Sequence, residues 1–261
     1  MTTFKELEIF KTDKKHYYHA LQETTTKLKM LPLHELDTNS EYLNKAFTIA
    51  YDAALFTLHE YDPTIQNELK LALFSALCPL SGSLAFLAVQ ILAANRIMQS
   101  NNFANAETYY QKRCGIIINH LRAPKTVIDS SKSEKGYTLN GHLTWASGYG
   151  IFDTLVVGFH HEGEEMQAVM PFSSKEAYQV TLPAQTMVGE SMSTVTMDLE
   201  NYEIPFENII NTQEIGYYTK QKSISKTVHF ALYGIGLGAI DAINDPEVKT
   251  SASEARSEER R

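Results

Sequence analysis

The chain has 261 residues, of which 43% are hydrophobic and 21% are charged, so we expect a globular protein with a sizeable core. A length of this kind suits one large domain or two ordinary ones. The formal net charge of -8 argues against a general nucleic-acid-binding role, because such a protein needs a basic face.

Cysteine content and targeting signals narrow the cellular setting. Cys78 and Cys114 are too few for a disulfide framework, and neither has a partner at metal-ligand spacing, so both suit a reducing compartment. The start of the chain lacks an apolar signal core. The longest apolar stretch, 84–94, is shorter than the roughly 20 residues of a membrane span. We therefore expect a cytoplasmic protein with no membrane span.

Residues 1–114 are predicted to form an N-terminal all-helical domain, because glycine and proline are scarce there. Apolar residues recur at a spacing of three to four between positions 42 and 58, which predicts an amphipathic helix that ends before Pro63. The stretch 84–99 follows a Ser81 cap and is apolar on most sides. We expect this helix to lie at the centre of the helical layer.

Residues 115–211 are predicted to form a middle β domain, because the pattern changes there to short β-branched and alternating runs. Many short strands separated by polar turns favour an antiparallel β-barrel or sandwich. Asn140-Gly141 lies between two of these runs and predicts a tight hairpin turn, since this dipeptide readily adopts positive φ. The predicted strands cover residues 125–129, 136–139, 143–146, 154–159, 166–171, 178–182 and 192–199.

A single helix is predicted after the strands, from about residue 221 to 243, where apolar residues return at helical spacing. We assign residues 212–245 to this unit and expect the charged tail, 246–261, to be disordered or a frayed helix. The order of elements predicts an α+β fold: a helical domain, a β domain and one last helix.

Two short motifs are similar to a dinucleotide-binding loop and to a metal site, but their sequence context argues against both functions. Gly234, Gly236 and Gly238 follow no strand, so they are not a dinucleotide-binding loop, and we expect them to let two helices pack closely. The run 160–165, HHEGEE, contains metal-ligand residue types. Gly163 lies in the middle of a turn, however, and adjacent histidines point to opposite faces. We predict a solvated hairpin loop and no metal site.

The stretch 140–148 holds the only tryptophan and the strongest sign of function. A glycine follows Trp145, Ala146 and Ser147, at a point where a regular strand is expected. A glycine in a strand lets a planar ligand approach the backbone closely. A tryptophan can shield an aromatic ring, and a neighbouring hydroxyl can form a hydrogen bond with it. On spacing alone, the favoured alternative places Trp145 in the core and makes Ser147 a turn residue.

The order of domains and the stretch 140–148 together resemble the acyl-CoA dehydrogenase family. That family carries a hairpin of the form NG-x-K-x-W-I-T-N-G, in which the tryptophan packs beside the flavin ring and the threonine hydroxyl meets it. Trp145 and Ser147 stand at the same offsets from Asn-Gly, while Leu143 replaces the lysine and Gly148 the second asparagine. The stretch 188–209 is similar to the family's last strands and its V-P-x-E-N exit.

The resemblance implies FAD as cofactor, bound by Trp145, Ala146 and Ser147. Asn119 and its neighbour His120 follow a buried-looking strand, where they either meet the pyrimidine edge of the flavin or cap the strand end. Arg122 is either a phosphate contact or a surface charge. The implied substrate is an acyl-CoA, or another small molecule, oxidised at a CH–CH bond, and the implied assembly is a possible homo-oligomer.

The chain departs from the family in ways that keep its function open. The shorter segment 115–124 stands in place of the family's T-E-P-G-A-G-S-D loop. The catalytic glutamate, the pyrophosphate-binding helix and the oligomer-forming helices have no counterpart, so no catalytic residue is assigned. The alternatives are a flavin-dependent monooxygenase of the same fold, which needs no such glutamate, and a truncated non-catalytic remnant.

Overall fold

The structure is a computed structural model that describes residues 14–122, 128–173, 178–181, 189–220 and 226–258. The end of the segment 115–124, the first residues of the strand predicted at 125–129 and the start of the helix predicted from about 221 lie outside the described residues. The described part confirms the α+β class, with helices first, two sheets in the middle and helices at the end.

The N-terminal part is a layer of helices with strong local start signals. Asn39 and Ser81 cap their helices through side-chain oxygens that accept backbone N–H groups, and Asp62 does the same in front of Pro63. These helices are α1 (Lys14–Leu28), α2 (Ser40–Asp52), α3 (Pro63–Leu77), α4 (Gly82–Ser100) and the short α5 (Ala106–Tyr110).

Helix α4 lies at the centre of the layer, as its all-round apolar character predicts. Eleven of its 19 residues are buried, and the helix packs on the first strand of the β domain. Leu84 and Leu87 belong to the same buried cluster as Leu155 and Val157 of the sheet. One continuous apolar core therefore joins the helices to the sheets.

The β domain consists of two four-stranded sheets. The first has the order β1-β4-β5-β8, and β1 runs parallel to β4 while the other pairs are antiparallel. The second has the order β2-β3-β7-β6 and is antiparallel throughout. The two open sheets share the apolar core, so the arrangement is a sandwich and not a closed barrel. The strands are β1 (Cys114–Ile117), β2 (Ile128–Lys132), β3 (Gly136–Ala146), β4 (Thr154–His161), β5 (Glu164–Pro171), β6 (Tyr178–Thr181), β7 (Val195–Pro205) and β8 (Ile209–Glu214).

The predicted hairpin turn at Asn140-Gly141 is wrong, because β3 runs through it as one strand. The pairing with β7 shifts register there, so the dipeptide forms a β-bulge, and Gly141 supplies the positive φ of 144°. The Asn140 side-chain oxygen accepts the Asn201 N–H at 2.7 Å. Since β7 continues alongside β3 on both sides of the bulge, the chain does not reverse.

The C-terminal part begins later than predicted and continues further. Strand β8 extends the sheet to residue 214, and α6 (Tyr217–Lys220) and α7 (Lys226–Asp241) follow it. The predicted alternatives for the tail were disorder and a frayed helix, and residues 246–258 form helix α8 (Pro246–Glu258). The Asp245 carboxylate accepts the N–H groups of Glu247 and Val248 and so caps this helix.

The glycines of α7 allow the close helix packing that the sequence predicts. A Cβ atom on Gly234 would lie 2.3 Å from the Phe74 carbonyl oxygen, and one on Gly238 would lie 2.9 Å from Pro79 Cα. Helix α7 therefore rests directly on the end of α3. None of the described helices is long and apolar enough to span a membrane.

Candidate functional site

A cavity of about 540 Å³ lies at the carboxyl end of β1, between α4 and the first sheet; we call it the sheet cavity. Its apolar wall comes from α4 and β1, and α6 and the start of α7 contribute to its rim. The volume falls in the range of small-molecule sites. Its polar lining comprises Arg96, Ser100, Asn101, Asn119, Arg122, Gln167, Asn211, Gln213, Tyr217, Tyr218 and Thr227.

The charged residues that line the sheet cavity are both positive within the part of the chain that the structure describes. Arg96 comes from α4 and Arg122 from the 3-10 turn Asn119–Arg122, and no carboxylate belongs to the described lining. Guanidinium groups bind phosphate and carboxylate in charge-assisted hydrogen bonds. The cavity therefore suits a ligand that is anionic or rich in hydrogen-bond acceptors.

A buried amide donor in the sheet cavity lacks a partner. Gln167 is 1% exposed, and its Nε2 has no hydrogen-bond partner among the described residues. The pairing of β5 with β8 shifts register next to it, between Gln167 and Ala168. An unsatisfied buried polar group costs about 1–3 kcal/mol. A ligand that accepts a hydrogen bond from Gln167 would recover part of that free energy.

Asn119 lines the sheet cavity. Its neighbour His120 turns away, because its Nε2 lies 2.7 Å from the Gly158 carbonyl oxygen. Burial lowers the pKa of His120, so the ring is neutral at pH 7 and Nε2 donates to that oxygen. His120 thus supports the turn that presents Asn119.

Glu165 is a buried carboxylate that positions the cavity's rim. It lies two residues before Gln167, on the same face of β5, and is 1% exposed. Its two oxygens accept the Gly216 N–H at 2.8 Å and the Tyr218 N–H at 2.9 Å. These bonds fix the start of α6 and with it Tyr218, whose pKa is raised by burial to about 12.

The run 160–165 forms a hairpin as predicted, but its predicted solvation is wrong for two residues. The turn comprises only Glu162 and Gly163, while His161 is 7% exposed and Glu165 is buried. His161 Nδ1 lies 2.9 Å from the Ser130 hydroxyl oxygen. The described residues contain no cluster of three or more His, Cys, Asp or Glu that could hold a metal ion.

Trp145 lies outside the sheet cavity, on a second bulge near the end of β3. Its φ is 66°, and the pairing with β7 shifts register between Leu143 and Ala146. The bulge turns the indole outward, where it is 67% exposed. The alternative that placed Trp145 in the core is therefore wrong. A left-handed backbone is uncommon for a bulky residue and costs about 1–3 kcal/mol.

Ala146 and Ser147 continue from Trp145 into the interior. Ala146 is fully buried, and the Ser147 hydroxyl oxygen lies 2.9 Å from that of Thr194. The Gly148 N–H donates to the Met192 carbonyl at 2.6 Å, and a Cβ at Gly148 would lie 2.4 Å from the Phe152 ring. The segment is rigidly held. The structure brings Asn119 into the sheet cavity and leaves Trp145, Ala146 and Ser147 outside its lining.

Most polar residues of the sheet cavity were not predicted from the sequence, among them Arg96, Gln167 and Asn211. Gln167 had a usable signal, since it is the only polar residue in the apolar run 166–170. A polar side chain in a buried strand needs a partner, and that partner is either protein, water or a ligand.

Comparison with known proteins supports the fold. No family model matches the chain, and no curated protein sequence matches it. Among solved structures it is similar to the 3-HSA hydroxylase from Rhodococcus sp. RHA1, with a TM-score of 0.62, 15% identity and coverage of 93% of this chain and 71% of that one.

Two dehydrogenases are similar to the same extent. Glutaryl-coenzyme A dehydrogenase in complex with glutaryl-CoA gives a TM-score of 0.65 at 13% identity, covering 92% of this chain and 64% of that one. Butyryl-CoA dehydrogenase from Megasphaera elsdenii gives a TM-score of 0.64 at 12% identity, covering 87% of this chain and 64% of that one. The chain thus spans a little under two thirds of either dehydrogenase. These likenesses agree with the resemblance read from the sequence, and the chain has the acyl-CoA dehydrogenase fold.

Proposed function

We propose that the chain is a flavin-binding oxidoreductase and that FAD binds across the sheet cavity. The proposal rests on one observation, the buried Gln167 amide whose Nε2 lacks a partner among the described residues, in a cavity whose described charges are positive. The fit is chemical: a flavin carries carbonyl and nitrogen acceptors at its pyrimidine edge and negative charge on its pyrophosphate. When bound, FAD supplies hydride-transfer chemistry, which no protein side chain provides.

Each proposed residue binds the part of FAD that its side-chain chemistry matches. Asn119 and Gln167 carry amide groups that match the acceptors of the pyrimidine edge. Arg96 and Arg122 offer guanidinium groups to the pyrophosphate. Trp145, which is exposed on its bulge, is proposed to shield an aromatic face of the ligand.

Ala146 and Ser147 complete the proposed binding set. Ala146 is the buried anchor of the bulge. The Ser147–Thr194 pair uses only one of its two hydroxyl protons, so the other remains available for a ligand.

For the substrate we propose an acyl-CoA, oxidised at a CH–CH bond, as in the dehydrogenases of this fold. The second candidate is a monooxygenase. It is favoured by the described lining of the sheet cavity, which contains no carboxylate to remove a proton from an acyl-CoA. The Glu165 carboxylate is near but is held by two backbone N–H groups, so we assign it positioning and no proton transfer.

Titration of the purified chain with FAD tests the proposal, with flavin absorbance and fluorescence as readouts. We expect saturable binding that weakens about tenfold in Gln167→Leu, because the leucine removes one buried hydrogen bond to the ligand. Gln22→Leu, on the exposed face of α1, is the matched control and should leave affinity unchanged. A chain that takes up no FAD contradicts both enzyme assignments.

The same preparation separates the two reactions. Anaerobic addition of an acyl-CoA should bleach the bound flavin if the chain is a dehydrogenase. If no acyl-CoA bleaches it, and reoxidation of chemically reduced flavin by oxygen in the presence of an added organic substrate puts one oxygen atom into that substrate and releases the other as water, the monooxygenase assignment is correct.

A further inference from the structure

A second site lies in the helical layer, away from the sheet cavity. Two cavities of about 740 and 220 Å³ adjoin there, between the 3-10 turn Leu58–Glu60, α4 and α5. They share five lining residues, so we treat them as one site and call it the helical cavity. The shared residues are Thr57, His59, Glu60, Glu107 and Tyr110. None of these residues lines the sheet cavity.

A stacked pair of rings lines both parts of the helical cavity. The His59 and Tyr110 rings have centroids 3.8 Å apart and planes inclined by 26°. His59 Nδ1 is buried and has no hydrogen-bond partner within the described part of the chain. Burial also lowers the pKa of His59 to about 4, so the ring is uncharged at pH 7.

The floor of the smaller part holds a buried amide whose oxygen is unpaired. Asn95 is 4% exposed, and its Nδ2 donates to the Phe56 carbonyl at 3.2 Å. Its Oδ1 has no partner among the described residues, and Asn95 lines the cavity. Exchanging the two amide atoms would set oxygen against the Phe56 carbonyl, so the unpaired atom is the acceptor.

The charges around the helical cavity are negative. Glu60 and Glu107 carry carboxylates at the lining, and no lysine or arginine belongs to the lining that the structure describes. His16 also belongs to the lining of the larger part. The Arg113 guanidinium lies 5.3 Å from the Tyr51 ring and donates to the Asn44 side-chain oxygen, so that face of the Tyr51 ring is taken.

We propose that the helical cavity binds a small organic cation, a primary ammonium or guanidinium group on a short apolar stem. Such a head donates several hydrogen bonds and accepts none, which matches the unpaired Asn95 oxygen and the carboxylates of Glu60 and Glu107. The stem contacts the apolar lining of the larger part, Met98 and Phe103. An anionic ligand would be repelled by the carboxylates, and a neutral donor would satisfy the Asn95 oxygen without the electrostatic attraction of those carboxylates.

Thermal unfolding of the full chain with n-butylammonium chloride tests the proposal, against n-butanol at the same concentration and sodium chloride at the same ionic strength. A ligand that binds only the folded state raises Tm with its concentration. We expect n-butylammonium to raise Tm while n-butanol and sodium chloride do not. Equal shifts with n-butylammonium and n-butanol, or no shift with n-butylammonium, overturn the proposal.

Two variants locate the effect. Glu107→Gln removes one exposed carboxylate and should weaken n-butylammonium binding on the order of fivefold. Glu134→Gln, which is equally exposed in the turn between β2 and β3, is the control and should change nothing. Asn95→Leu keeps the approximate size of the side chain and removes the unpaired acceptor, so affinity should fall. If both Glu107→Gln and Asn95→Leu leave affinity unchanged, the cation binds elsewhere and the proposal fails.

Discussion

The two cavities differ in the charge of their lining and in the buried polar atoms that lack a partner among the described residues. The sheet cavity combines two guanidinium groups with an unpaired amide donor, Gln167 Nε2, and an unpaired amide acceptor, Asn211 Oδ1. The helical cavity combines two carboxylates with an unpaired acceptor, Asn95 Oδ1. Charge acts over many ångströms and hydrogen bonding only at contact. The charge of the lining therefore distinguishes the two sites, and the ligands proposed for them carry opposite charge.

Charge reversal in the sheet cavity should produce the largest effect. The double variant Arg96→Glu with Arg122→Glu replaces two charge-assisted donors by repelling groups, and each such bond contributes roughly 1.5–3 kcal/mol. We expect FAD affinity to fall at least about 100-fold, measured by fluorescence titration. Binding of n-butylammonium to the helical cavity should stay as it is.

The control for this pair is Lys29→Glu with Lys45→Glu, two exposed residues on the helical layer. It changes the net charge by the same amount without touching the sheet cavity. Equal losses of FAD affinity in the two double variants would mean that overall charge, and not the cavity, governs binding.

Displacing α7 should affect only the sheet cavity, with a smaller effect. In Gly234→Ala the new Cβ would meet the Phe74 carbonyl at 2.3 Å, so α7 must move away from α3. Helix α7 carries Thr227 and Val228 of the sheet cavity. We expect a loss of about 1–3 kcal/mol in urea unfolding and weaker FAD binding, with n-butylammonium binding kept.

Gly82→Ala is the matched control for that change. A Cβ on Gly82 meets nothing within 4 Å, and the residue begins α4. Replacing a helical glycine by alanine in open space stabilises by about 0.5–1 kcal/mol. If both variants have the same stability, the close approach of α7 and α3 is not a constraint.

The buried His59 ring should make stability depend on pH, and this prediction concerns the helical cavity alone. The folded pKa of about 4 lies below the ordinary value of 6.5, so the unfolded chain takes up a proton first as the pH falls. The contribution of the neutral His59 ring to the free energy of unfolding is fully present above pH 6.5 and is lost as the pH falls towards 4. After allowance for partial solvation of the ring, we expect about 1–2 kcal/mol.

His59→Phe keeps a ring against Tyr110 and removes the titrating group. Urea unfolding at a series of pH values gives the free energy of unfolding as a function of pH for each protein. The two curves should have the same shape above pH 6.5 and separate below it, because the wild type loses more stability than His59→Phe. Parallel curves over the whole range would show that His59 is accessible enough to keep its ordinary pKa.

The helices of the molecule were predictable because their signals are local. Asn39 and Ser81 cap helices through bonds to residues two or three positions away, and the apolar spacing of α4 needs no partner to be recognised. The Asn140-Gly141 bulge was not predictable. The positive φ of Gly141 serves a hairpin turn or a bulge equally well, and only the course of β7 decides between them.

The sites were less predictable than the helices, because they depend on contacts between residues that are distant in the sequence. Asn119 could be placed at a cleft because it directly follows a buried strand. Gln167 and Asn95 are polar residues in apolar surroundings, which the sequence displays, but whether a buried amide is satisfied depends on distant neighbours such as Phe56. The polarity of each cavity therefore emerges only once the helices and sheets are packed.

Trp145 offers the finest test of the comparison, since it belongs to the lining of neither cavity. It is the only tryptophan, so intrinsic tryptophan fluorescence reports on this position alone. We expect FAD to quench that fluorescence, because the proposed ligand extends from the sheet cavity to the exposed indole, and n-butylammonium to leave it unchanged. Trp145→Phe should alter stability by less than about 0.5 kcal/mol, as is usual for an exposed side chain. Saturable FAD binding without quenching would separate Trp145 from the flavin site and leave Asn119, Gln167 and the two arginines as its residues.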